Sequence, residues 1–340
     1  IRAASLFIDT ARITRPFVFL LRDSVYPLDT ATISFGFARN MTDTGSIILQ
    51  PANGVHVRFE NPSWRNQAVF LFPSSWNFKF LGRSPDSSGT ITIVDQSGFA
   101  KNVITLTATS ERANIRTEIS YLLIRATQVA NGLTAIRGSL IQNQRMVNLV
   151  IANNRFEGLN MGIFLSHNLN PFITQPRIVN NHFGGTLANY LPMSGAIFLG
   201  SSTSAEIVGN TIAYIRNPTD FRGIFLSSTS ATIEANRIHH IQVTSDAELV
   251  GIGTQLSANA LLINNVIHSF SIQNTSIFRG ITAISSGGGP ISMYNNTISL
   301  SDTGTSLFAD IIAVRLVSQN GLHAVVNNII ELKTRPQFTG

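Results

Sequence analysis

One short word limits what this chain can fold into: an apolar residue, two spacers, an asparagine, one spacer and another apolar residue. It recurs around Asn154, Asn181, Asn210, Asn236, Asn265, Asn296 and Asn328, at steps of 27, 29, 26, 29, 31 and 32 residues. Three residues before each Asn stands Ile151, Ile178, Ile207, Ile233, Leu262, Met293 or Val325. Two residues after it stands Phe156, Phe183, Ile212, Ile238, Ile267, Ile298 or Ile330. A chain that is 44% hydrophobic does not fill fourteen such positions by chance. A fixed word at this period marks a solenoid, whose units bury their apolar faces only by stacking.

Between the Asn words runs a second series: Gly132-Leu-Thr-Ala-Ile136, Gly162-Ile-Phe-Leu165, Gly195-Ala-Ile-Phe-Leu199, Gly223-Ile-Phe-Leu226, Gly251-Ile-Gly253 and Gly280-Ile-Thr-Ala-Ile284. Ile311-Ile-Ala-Val-Arg-Leu316 takes the same place without its Gly. Each period thus holds short β-branched or apolar runs divided by Ser, Thr, Asn and Gly, which read as strands and turns. Nothing of helical length lies between them. The predicted fold is all-β, a right-handed parallel β-helix. A leucine-rich repeat shares the Asn word but needs a Leu five places before it. Pro176, Ala205, Ala231, Ala260 and His323 occupy that position in most coils.

Apolar neighbours on both sides predict that the seven Asn point inward as a structural amide ladder. Copies about 4.8 Å apart can donate and accept between rungs. Asn also tolerates the left-handed backbone of a sharp bend, which predicts that the ladder residues make the corner themselves.

Residues 1–131 are less regular. Pro16–Leu21, Ala31–Phe35, Ser46–Leu49, Val55–Phe59, Val69–Phe72, Phe78–Phe80, Thr90–Val94, Val103–Leu106 and Tyr121–Ile124 suit strands. They read as N-terminal coils or a cap. No Pro-, Gly- or Ser-rich linker parts them from the regular coils of 132–335, so one continuous rod of roughly 50–60 Å is expected.

Composition narrows the partners. Twenty-four basic residues against eighteen acidic give +6, and only Lys79, Lys101 and Lys333 are lysines. An Arg-rich surface suits carboxylate, sulfate or phosphate contacts. The Arg are scattered, without the runs of nucleic-acid arms, so no nucleic-acid partner is expected. No apolar run approaches the length of a membrane-spanning helix, and no membrane insertion is expected. The absence of Cys excludes disulfides and thiolate chemistry. No cofactor or metal site is predicted. The chain opens at Ile1 without a signal-like segment and reads as a mature product or a piece of something longer.

Phe17-Val-Phe-Leu-Leu-Arg-Asp-Ser-Val-Tyr26, Ser46-Ile-Ile-Leu-Gln-Pro-Ala-Asn-Gly-Val55, Leu122-Leu-Ile124, Asn295-Asn-Thr-Ile-Ser-Leu300 and Asn327-Asn-Ile-Ile330 resemble the β-helix region of very large secreted Bacteroidetes proteins. That resemblance implies export by the type IX secretion route and an extracellular or cell-surface location. The family's C-terminal sorting domain has no counterpart in the chain, which fits a fragment. Asp9-Thr10-Ala11, Asp23-Ser24-Val25 and Asp29-Thr30-Ala31 look like that group's O-glycosylation acceptors at Thr10, Ser24 and Thr30. The matching words carry no active-site residue.

Two constellations could bear chemistry. Glu206 and Glu234 stand four and two residues before their Asn on adjacent coils, which separates them by roughly 8 Å. That spacing suits an inverting glycosidase pair. His239 and His268 share one register and are expected to stack at the surface, not to bind zinc. The expected function is a non-enzymatic structural or adhesive module, with a filament subunit as the variant that open rod ends allow. Its expected partners are glycans, other copies of itself or other surface proteins. The alternative is a polysaccharide lyase or glycoside hydrolase on the same scaffold.

Overall fold

The computed structural model describes residues 13–28, 32–35, 45–61, 68–73, 77–96, 102–107, 114–127, 132–139, 145–166, 173–217, 220–244, 248–256, 259–272, 281–301, 311–317 and 322–333. Among them every regular element is a strand. Three long parallel sheets form the faces of a β-helix. Face A has eleven strands from Pro16–Leu21 to Ala324–Val326, face B eleven from Val25–Pro27 to Ile329–Lys333, and face C ten from Ile33–Ser34 to Ile311–Leu316. Eleven rungs at about 4.8 Å place the outermost about 48 Å apart. A ribbon of four two-residue strands, Asn114–Ile115 to Ser202–Thr203, adds a fourth side in the middle coils. No helix of the described residues is long and apolar enough to cross a membrane.

Each N-terminal run predicted as a strand lies on or overlaps an observed one. The pairing also runs through residue 131: Phe78–Leu81 pairs with Glu118–Ser120, and Asn102–Thr107 with Thr134–Ser139. Alternation sets the core. In Ala205–Val208 the pattern is in, out, in, half-out, and Ile207 is fully buried. Ile151, Ile178, Ile233 and Leu262 fill the same column, as Phe156, Phe183, Ile212 and Ile238 fill the next. The last rung departs from this: Val325 and Ile330 remain about half exposed.

The amide ladder is continuous. Asn154 Nδ2 donates to Asn181 Oδ1 at 3.0 Å, and the same bond links Asn181 to Asn210, then Asn236, Asn265, Asn296 and Asn328, at 2.9–3.0 Å. Each Oδ1 also accepts the preceding Asn backbone N–H, as Asn236 Oδ1 does from Asn210 at 2.9 Å. The second Nδ2 hydrogen reaches back to a strand carbonyl, Ile207 O at 2.8 Å for Asn236. All but Asn328 are buried, so these bonds satisfy groups that water cannot.

The bend itself corrects the sequence reading. Left-handed backbone belongs to the residue before each ladder Asn: Asn153, Asn180, Gly209, Ala235, Asn264, Asn295 and Asn327, with φ between 53° and 67°. In an Asn-Asn pair the first residue turns the chain and the second bonds between coils. Of the glycosylation candidates, Ser24 lies exposed in the bend before Val25–Pro27; Thr10 and Thr30 fall outside the described residues.

Candidate functional site

Glu206 and Glu234 both project from face A. Glu206 pairs in register with Thr232, and Val208 with Glu234, so the acids sit one rung and two residues apart, as expected. Beside them lies a shallow open groove of about 610 Å³, bordered by Glu206, Ser230, Thr232, Leu261, Pro290 and Ser292. Glu234 does not line it. The Glu206 carboxylate turns the other way, to Arg177 on the preceding rung, with Nε to Oε2 at 2.8 Å. Both partners are about half exposed, so the pair is weak and salt-screened. The groove therefore presents one carboxylate, already engaged by a cation.

Face C carries a different surface. In Met161–Ser166, Gly195–Gly200 and Phe221–Ser227, Ile and Leu alternate inward, and the Phe between them is turned outward and half-buried. Register stacks Phe164 on Phe198 and Phe198 on Phe225. Ring centroids lie 4.7 and 5.8 Å apart, with planes 13° and 22° from parallel. Rings stacked along the rod turn their edges, the positive rim of the aromatic quadrupole, toward solvent.

Arginine closes both ends of the stack. Arg137, paired with Phe164, holds its guanidinium 5.3 Å from that ring, and Arg222 lies 4.6 Å from the ring of Phe225. Next to Phe225 stands Gly253, where any Cβ would lie 2.7 Å from the Phe225 ring. Gly195 and Gly200 keep the flanks of Phe198 low. The result is a narrow ridge of ring edges between two guanidinium groups, of which that of Arg222 also lies 3.7 Å from the Glu248 carboxylate, a half-exposed and salt-screened pair. The Ile-Phe-Leu word at 163–165, 197–199 and 224–226 carries the signal, a Phe at one fixed place in three coils, which marks a strand in the sequence but not the side its Phe faces.

His239 and His268 stack as expected, with centroids 5.0 Å apart and planes 2° from parallel. Desolvation, then the charges of His268, His240, Arg237 and His182, hold the His239 imidazole down to about 4. Desolvation and the charges of His240 and Arg237 lower His268 as well. Among the described residues no three His, Asp or Glu side chains are arranged to hold a metal ion.

No protein-family model matches the sequence, and no curated protein matches it. Several solved structures are similar to the chain. One is the catalytic domain of a GH87 α-1,3-glucanase, at 10% identity over 92% of this chain and TM-score 0.44; the chain spans 64% of that domain. Another is the endo-xylogalacturonan hydrolase of Aspergillus tubingensis, at 14% identity over 98% of this chain and 88% of that one, TM-score 0.46. A third is the A-module of a mannuronan C-5 epimerase from Azotobacter vinelandii, at 11% identity over 98% and 95%, TM-score 0.42. The likeness reaches no further than β-helical architecture.

Proposed function

We propose that the protein is a rod-shaped module of an extracellular or cell-surface protein that holds acidic polysaccharide along face C. The observation that carries this reading is the Phe164–Phe198–Phe225 ridge set between Arg137 and Arg222. Ring edges favour oxygen atoms, guanidinium groups favour carboxylate or sulfate, and low Gly flanks let a polymer lie close. The resemblance to secreted Bacteroidetes β-helices supports the location. Retention on polygalacturonate, alginate and dextran sulfate, compared with neutral dextran, tests the reading. Phe198→Ala is expected to weaken binding at least about tenfold, as for a central aromatic anchor. Arg137→Ala with Arg222→Ala should flatten its salt dependence. Equal retention on neutral dextran, or unchanged binding by Phe198→Ala, overturns it.

A second reading, cleavage of such a glycan, rests on the one-rung, two-residue offset of Glu206 and Glu234, of which Glu206 borders the groove. Release of reducing ends or unsaturated uronates, abolished by Glu206→Gln or Glu234→Gln, would replace adhesion by catalysis.

A further inference from the structure

On face B three successive strands each push one extra residue to the outside. Ala213, His239 and His268 pair in register, and so do Ile215, Ile241 and Phe270. Between those two columns lie Tyr214, His240 and Ser269, unpaired in the ladder and all left-handed, with φ of 56°, 54° and 57°. Ile212, Ile238 and Ile267 on one side and Ile215, Ile241 and Phe270 on the other are fully buried. Each coil therefore inserts a bulge residue without moving its core. The same left-handed turn recurs at the corners of the other coils, and here it is taken by Tyr214 and His240, whose rings it places outside the core.

The bulges gather rings that plain alternation would keep apart. Tyr214 stacks on His240 at 5.0 Å and meets His239 edge-on at 5.4 Å. His240 lies 5.0 Å from His239 and 5.7 Å from His268, edge-on to both. His239 and His240 bring their Nδ1 atoms to 2.7 Å, so one must donate to the other. Tyr190, from the short excursion through Thr186 and Asn189, packs edge-on against Tyr214 at 5.7 Å, with Arg216 over its outer face.

What surrounds these rings is of one sign. The charged or protonatable neighbours acting on His239 are His268, His240, Arg237 and His182, and those acting on His268 are His240 and Arg237. On one side Glu157 acts on His182; it is buried and held by Arg125 and Arg155. On the other side Glu331 bonds Ser299, the register partner of His268, and pairs with Lys333. Among the described residues the cluster has cations and imidazoles and no carboxylate of its own.

We propose that this corner is a second binding site, for the uronate units of an acidic glycan, where the carboxylate and protons bind together. The sugar's C–H face lies on the Tyr214 and imidazole rings, and its carboxylate meets His239, His268 and Arg237. Because an anion stabilises imidazolium, binding takes up protons, and acidification strengthens binding by the same linkage. At neutral pH desolvation disfavours the charged form of His239 and His268, and the site is weak.

The corner and the ridge lie on different faces, so the Phe198→Ala variant isolates this site. A short oligogalacturonate is titrated calorimetrically into Phe198→Ala near pH 7 and near pH 5, in buffers of differing ionisation enthalpy. Affinity is expected to rise at least about tenfold on acidification with net proton uptake, against the slight loss of charge on the uronate. His239→Gln with His268→Gln should remove both the rise and the uptake; His268→Gln alone should lessen them, and thermal melting checks that each variant is folded. A rise that survives in folded histidine variants, a rise seen equally with a neutral galactose oligomer, or no binding at either pH overturns the site. Failure of the unmutated protein to bind near pH 7 would count against the ridge alone.

Discussion

Between Phe35 and Phe80 the core is filled largely by interlocked rings, whereas between Asn154 and Asn328 it is mainly Ile and Leu, with Phe156, Phe183, Phe221 and Phe270 set among them, and is bordered by amides. Phe35, Phe59, Phe70, Phe72, Phe78 and Phe80 interlock at centroid distances of 4.7–6.1 Å, from nearly parallel to edge-on. At the ladder position these early coils have no Asn; in the coil before Asn154 the place is taken by Leu122, whose N–H is accepted by Asn154 Oδ1 at 3.0 Å. The two regions share strand register and differ in what fixes one coil over the next. Rings do it by bulk and contact geometry, amides by directional bonds repeated at every rung. The first tolerates irregular corners. The second imposes a fixed word on the sequence.

The largest effect should come from the aromatic region. Phe80 is fully buried against Phe70 and Phe72, and Phe80→Ala is expected to cost about 3–5 kcal/mol. Coils couple mainly to their neighbours, so the loss should stay local. Hydrogen exchange should show protection falling across residues 46–106 while the coils from Ile178 to Ile267 keep theirs. Uniform loss along the rod would mean that the two regions act as one cooperative unit.

Asn236→Ala attacks the other device. It strips Asn210 of the acceptor for both its N–H and its Nδ2, and leaves Ile207 O without its donor. Orphaning such buried groups costs roughly 1–3 kcal/mol. Arg237→Ala, at the exposed neighbour, should stay within about 0.5 kcal/mol. Equal melting losses from the two would show that the amide ladder contributes nothing beyond its backbone.

The difference between the regions also explains what could be read from the residues. The laddered coils were legible because hydrogen-bond direction allows one residue type at one position, so the word repeats. The N-terminal strands were legible one by one, from alternation in runs such as Phe78–Phe80, but their stacking was not, since rings pack in many orders. The assignment of the left-handed bend to the ladder Asn failed because two adjacent Asn can each adopt it; only the inward position of the second separates their roles. The bulges at Tyr214 and His240 look like lapses in alternation, and nothing local marks them. Phe164, Phe198 and Phe225 were in plain view, yet a strand residue's side is decided by register alone.

The smallest effect tests that division of labour at the bend. Five of the seven left-handed positions before the ladder hold Asn and one holds Gly, but the coil of Asn236 has Ala235, with φ 53°. Its Cβ crowds the following carbonyl, a strain of about 1–2 kcal/mol, which Asn partly relieves by local hydrogen bonding. Ala235 is exposed, and its N–H already bonds Ile263 O at 3.0 Å, so replacement disturbs no packing. Ala235→Asn should therefore stabilise the protein by about 1 kcal/mol. Ala235→Gly should gain less, because it also frees the unfolded chain. The reverse change at Gly209 should lose stability, since an added Cβ would lie 2.3 Å from Asn180 Oδ1. If thermal melting ranks Ala235→Asn at or below the unaltered protein, the bend is governed by the ladder residue after all, and the first Asn of each pair is a passenger.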